Sequence, residues 1–128
     1  IYFVEGFEDY ENILIELFEM ARCRSVQFIT SELTLLEVLV GANIAQNVQA
    51  EAIYRHLLEE SGWIELVPIS RDVLIQGANI RGRYRLSIPD ALHMATATTC
   101  RCDVLLTNDK KLRVSETIEV TLLHEMIG

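Results

Sequence analysis

Ser87-Ile88-Pro89-Asp90-Ala91-Leu92-His93-Met94-Ala95-Thr96-Ala97, and after it Asp103-Val104-Leu105-Leu106-Thr107-Asn108-Asp109, carry the argument for the fold. Ser87-Ile88-Pro89 opens a helix, because proline at the first helical position gives up an N–H that has no partner there. Val104 to Thr107 is a short strand of branched apolar residues. A helix feeding such a strand is half of a parallel α/β unit. Asp109 then falls just past the strand's carboxyl end, where open α/β sheets place their ligand sites.

The same alternation continues in both directions. Phe7 to Cys23 reads as an amphipathic helix, with Ile13, Leu14, Leu17, Phe18 and Ala21 on one stripe. Val26 to Thr30 is a strand, and Ser31 can cap the helix that runs through Leu33–Val40 to Gly41. A further helix spans Val48 to Glu60 and closes at Gly62. Ile64 to Ile69 and Ile118 to Leu123 are strands, and Arg71 to about Arg81 is helical. With no repeat, low-complexity tract or linker, the 128 residues form one domain, 1–128. Ile1-Tyr2-Phe3-Val4 precedes a helix with no full strand before it, although a doubly wound sheet normally starts on a central strand. A first strand is therefore expected upstream of Ile1, or these residues are its remnant. A start at Ile1 rather than Met fits a cut or processed end.

Three carboxylates stand in chemically telling places. Glu37 has Leu33, Leu36, Val38 and Val40 as helical neighbours, and a carboxylate there is costly to desolvate unless paired or bound to a cation. A Thr34-x-x-Glu37 capping box is the competing explanation. Asp90 lies in a first helical turn, where the dipole alone favours an acid. Asp109 is also an ordinary turn residue. Taken together, acids after the strand ends of a parallel sheet can meet in one cleft. Their repulsion there calls for a cation, and oxygen-rich sites suit Mg²⁺ or Mn²⁺. His93, three residues after Asp90, is either a ligand or base, or a packed structural histidine. His56 and His124 have no telling context.

Composition narrows the function classes. No apolar run approaches the roughly 18 residues of a membrane span, and no secretory signal is visible. Cys23, Cys100 and Cys102 make an odd set without a disulfide or zinc framework, as expected of reduced cytoplasmic thiols. The net charge of -8 opposes nucleic-acid binding by the chain as a whole. Its distribution is uneven. Residues 1–70 carry 3 basic and 12 acidic side chains, whereas residues 71–113 carry 8 basic and 4 acidic. The basic block is the one that holds Asp90 and Asp109.

Ile88–Ala97 and Asp103–Asp109 together resemble the C-terminal signature of PIN domains, and Thr30-Ser31-Glu32-Leu33-Thr34-Leu35-Leu36-Glu37-Val38 resembles that family's middle motif. The resemblance covers essentially the whole chain and points to the VapC toxin type. It implies a three-layer α/β/α sandwich with a central parallel sheet, whose first strand is here absent or truncated. It implies Glu37, Asp90 and Asp109 as catalytic, metal-site carboxylates for Mg²⁺ or Mn²⁺, with Thr107 and Asn108 as polar lining. The family's first acid belongs to an Asp-Thr-Asn-like motif after strand one and is missing. Glu5 and Asp9 are expected to be poor substitutes, falling past the start of the helix that leads away from the site.

The expected function is that of a metal-dependent endoribonuclease cutting single-stranded RNA, the toxin of a toxin–antitoxin pair. Arg81, Arg83, Tyr84, Arg85 and Lys110 are candidate RNA contacts, Tyr84 by stacking. A solvated helix end explains the arginines equally well. Expected partners are RNA, an antitoxin protein and further copies of the chain, as a homodimer or higher oligomer, in the cytoplasm without a membrane. The alternative is a truncated or degenerate, inactive domain that binds protein or RNA. A phosphoacceptor receiver domain fits poorly, since it has no use for the Ile-Pro-Asp helix entry.

Overall fold

The computed structural model describes residues 1–6, 17, 19, 20, 22, 26–115, 117–123 and 125. Five strands form one sheet: β1 (Tyr2–Val4), β2 (Phe28–Ser31), β3 (Ile64–Val67), β4 (Val104–Thr107) and β5 (Glu119–Leu122). Their order is β3-β2-β1-β4-β5, and every pairing is parallel. Between them run α1 (Glu32–Ile44), α2 (Val48–Arg55), α3 (Arg71–Tyr84) and α4 (Ile88–Thr99). This is the expected α/β fold with a parallel central sheet.

The middle of the sheet is filled by Tyr2–Val4. These residues are themselves the central strand, so β2 and β4 both find a neighbour in β1 instead of facing unpaired edges. The pairing carries on past the strand, since the Glu5 N–H donates to the Leu106 carbonyl at 3.1 Å. Of the helix expected from Phe7 to Cys23, only Leu17, Glu19, Met20 and Arg22 are described, all helical; Asp9 and Cys23 lie outside the described residues.

Local chemistry explains most boundaries. Serines follow strand or loop and cap three helices: Ser31 Oγ accepts the Leu33 N–H (3.0 Å), Ser70 Oγ that of Val73 (3.2 Å) and Ser87 Oγ that of Asp90 (3.2 Å). The capping-box alternative for Thr34 and Glu37 is not what forms. Thr34 bonds the Thr30 hydroxyl at 2.7 Å, leaving Glu37 for another partner. α1 passes Gly41 and runs on to Ile44. The helix expected over Val48–Glu60 changes pitch, with its last turn, His56–Glu60, wound as a π-helix. Gly62 follows at φ +83°, a left-handed conformation that costs a glycine little.

Alternation along the strands builds a core on each face of the sheet. Val4, Phe28, Val104 and Leu106 pack with Val38, Tyr54, Leu57 and Leu58. On the other face, Phe3, Ile29 and Leu105 pack with Ala91, Met94 and Ala97 of α4. Helices α3 and α4 form an antiparallel hairpin, drawn close because Gly77 has no side chain: a Cβ there would sit 3.3 Å from Leu92 Cδ2.

Candidate metal centre at the strand ends

The register Val4↔Leu106 sets the residues after β1 and the end of β4 side by side. Glu5 is thus the first residue beyond the central strand, and the Thr107 hydroxyl donates to its carboxylate. The same hydroxyl accepts the Asp109 N–H at 3.0 Å, which ties the turn after β4 to the residue after β1. Thr30 of β2 adds a third tie by donating to the Val4 carbonyl at 2.6 Å. Gly6 follows at φ +85°, and a Cβ there would lie 4.0 Å from the Asn108 N and Nδ2.

Two helices bring the remaining groups. α1 presents Glu37 and α4 presents His93, with Nε2 to Glu37 Oε1 at 2.7 Å. An ionised carboxylate can only accept, so Nε2 is the donor. His93 is 1% exposed against 33% for Glu37, so the imidazole is the buried partner. Its ring packs tilted against Phe3 with centroids 5.7 Å apart. Among the described residues Nδ1 has no hydrogen-bond partner. One ligand atom each from Glu5, Glu37 and His93 lie within 4.8 Å of one another.

Asp90 and Asp109 form a second pair beside these three. Asp90 has its carboxyl pushed above the ordinary carboxylate range by burial, by a hydrogen bond to Asp109 and by that residue's negative charge; Ser87 and His93 pull the other way. Asp109 also caps the 3₁₀ turn Lys110–Val114, its Oδ1 accepting the Lys111 N–H at 2.9 Å.

Glu37, Asp90 and Asp109 thus reach the same sheet edge, but in two subgroups. Among the described residues the tight three-donor group is Glu5, Glu37 and His93. The expectation that Glu5 lies beyond the start of a helix leading away is corrected here, because β1 is short and ends at Val4. The signal was present: an apolar run, Tyr2-Phe3-Val4, followed at once by an acid. Thr107 is buried and Asn108 half-buried at the rim. The donors suit a divalent cation. Carboxylates converge beside hydroxyls and an imidazole, and the carboxyl of Asp90 is already raised, first by burial and then by its neighbour Asp109.

The basic candidates are partly engaged in holding the fold. Arg81 Nη1 donates to the Leu86 carbonyl at 2.7 Å, bracing the α3–α4 turn. Arg83 lies over the Tyr84 ring at 5.3 Å, and Tyr84 packs on the core, which leaves it a poor stacking platform. Arg85 ends α3 at φ +57° and Lys110 is exposed. Cys100 and Cys102 are free thiols. Burial pushes the Cys102 thiol up to about 12 and raises that of Cys100, which favours the protonated, unreactive form of both. Among the described residues no helix is long and apolar enough to cross a membrane.

A toxin–antitoxin complex from Klebsiella pneumoniae includes a chain 25% identical to this one, with a TM-score of 0.67 over 96% of this chain and 98% of that one. DNA-bound VapBC from Salmonella typhimurium (15% identity, TM-score 0.72, 95% and 97% covered) shares the fold. So does VapC20 of Mycobacterium tuberculosis, a sarcin-ricin loop cleaving toxin (15% identity, TM-score 0.71, 94% and 98% covered). No curated protein sequence matches the chain. The PIN domain model matches residues 1–116, so with its parallel sheet and the acids gathered at the strand ends, this chain belongs to the PIN domain family.

Proposed function

We propose that the chain is a divalent-metal-dependent endoribonuclease acting on single-stranded RNA, the toxin of a toxin–antitoxin pair. The observation that supports this reading is the gathering of acids at the carboxyl edge of the sheet, Glu37 with Glu5 and His93, and Asp90 beside Asp109. Like charges held so close in a folded protein are tolerable when a cation sits among them. Glu37, Asp90 and Asp109 would hold Mg²⁺ or Mn²⁺, which when bound acidifies a water and offsets charge on the phosphodiester. Thr107 and Asn108 orient the acids from the rim. Arg83, Arg85 and Lys110, all exposed, hold the RNA backbone by charge.

The toxin–antitoxin assemblies among the similar structures support a small antitoxin as partner, and self-association and a cytoplasmic setting go with that reading. The test is cleavage of single-stranded RNA with Mg²⁺ or Mn²⁺ added and with chelator. Asp90→Asn should abolish the metal-dependent cleavage while the protein stays folded. Equal cleavage by the variant, or cleavage indifferent to chelator, sinks the proposal.

A further inference from the structure

We propose that Arg85 is a fixed contact for an RNA phosphate, kept in a strained backbone conformation for that role at a cost in stability. This rests on the ribonuclease reading above and deepens it, because it singles out one basic side chain and gives the reason it stands where it does.

The turn from α3 to α4 is Arg85-Leu86-Ser87. Arg85 closes α3 at φ +57° and ψ +35°, the left-handed region that a side chain enters at a penalty and that glycine or asparagine usually fills at a helix end. The turn around it is held from several sides. The Arg85 N–H donates to the Arg81 carbonyl at 2.8 Å, and Arg81 Nη1 donates to the Leu86 carbonyl at 2.7 Å. Leu86 is buried in the core, and Ser87 caps α4. Arg85 therefore projects from a rigid corner. It is exposed, and among the described residues its guanidinium makes no hydrogen bond or ion pair. A strained residue fixed by its surroundings, with its side chain left uncommitted, is the pattern of a functional position.

The helix dipole does not account for this arginine. The last turn of α3 already holds Arg81 and Arg83, which supply cations to the helix end. Arg81 is committed to the Leu86 carbonyl, and Arg83 lies over the Tyr84 ring. Place accounts for Arg85 better. It stands at the start of α4, the helix whose first turn carries Asp90, and so at the edge of the sheet where the acids gather. The molecule also supplies a control. Arg101 is exposed and left-handed too, at φ +56°, but it lies between α4 and β4 at the opposite edge, two residues before Asp103, whose N–H pairs with the Ile1 carbonyl. The two arginines match in charge and in backbone strain and differ in which edge of the sheet they serve.

The experiment is fluorescence anisotropy of the intact chain with a short fluorescein-labelled single-stranded oligoribonucleotide, in chelator so that it stays uncut, at several salt concentrations. Arg85→Gly should weaken binding by about fivefold to tenfold at low salt, and lower the slope of log affinity against log salt by about 0.7, the loss of one phosphate contact. It should also melt at a higher temperature than wild type, since glycine takes the left-handed conformation without penalty. Arg101→Gly should share the higher melting temperature and keep the wild-type RNA affinity within about twofold, because its charge stands at the far edge and is screened. Arg85→Lys should keep the salt slope and gain no stability. Unchanged binding in Arg85→Gly, or equal weakening in Arg101→Gly, overturns the phosphate contact and leaves the ribonuclease reading standing. Arg85→Gly melting no higher than wild type overturns the claim of strain. RNA bound through Arg85 but never cleaved with Mg²⁺ or Mn²⁺ keeps this inference and sinks the ribonuclease reading. No RNA binding by the wild-type chain, in chelator or with Mg²⁺, overturns both.

Discussion

Helices α1 and α4 start in the same way and end in opposite surroundings. Each begins on a serine cap, Ser31 or Ser87, and each delivers one site residue at its sixth position, Glu37 counted from Glu32 and His93 counted from Ile88. Yet α4 buries Ala91, His93, Met94, Ala95, Thr96 and Ala97, almost its whole girth. α1 buries only Thr34, Val38 and Ala42, one residue per turn, and leaves Leu36 59%, Val40 46% and Ile44 80% exposed. Apolar composition does not decide the difference, since α1 is rich in leucine and valine. Neighbours decide it. α4 is clamped between the sheet and α3, with Gly77 allowing close approach, whereas α1 meets its described neighbours along one stripe. Imidazole from the enclosed helix and carboxylate from the open one meet at 2.7 Å, so the site lies on the border between a packed interior and solvent.

Core truncation should separate the two helices most strongly. Met94→Ala is expected to cost ~2–5 kcal/mol by urea unfolding. Leu36→Ala should stay within about 0.5 kcal/mol. A large cost at Leu36 would mean that the exposed stripe of α1 is covered in solution, and the contrast would fail.

The caps come next. Ser31→Ala and Ser87→Ala should each lower stability by about 1 kcal/mol. The buried Ser31 is expected to be the costlier of the two, since its loss leaves the Leu33 N–H without its acceptor where water has little access. Equal or reversed costs in paired melts would show that enclosure of the helix start does not matter.

The smallest effect concerns pH. The carboxyl of Asp90 has a folded pKa above its unfolded one, so the folded state binds more protons across that interval. Its contribution to stability is fully present below the ordinary carboxylate value and is lost as pH rises through the raised one. In chelator, Asp90→Asn should remove this loss, leaving the variant more stable than wild type near neutral pH. Titrated melts that run parallel for the two proteins would contradict it.

Much of this was legible from residues alone. Serine before a helical run, proline at its first position and the three branched apolar residues Val104–Leu106 followed by Thr107 report local preferences, and local preferences survived folding here. Asp109 was readable as a strand-end acid for the same reason. His93 was readable only as an open choice, because its partner Glu37 is 56 residues away. Glu5 was misjudged, since a three-residue strand becomes a strand only when both neighbours pair with it.

The chain's own residue order determined the alternation of strands and helices, their caps and the presence of acids after strand ends. Tertiary structure alone decided that Tyr2–Val4 lies at the centre of the sheet, that Glu5 joins Glu37 and His93, and that α1 shows its apolar stripe outward. The physical reason is range. Capping and periodicity act within a few residues, while strand order and the charge environment of a carboxylate depend on groups brought together from distant parts of the chain.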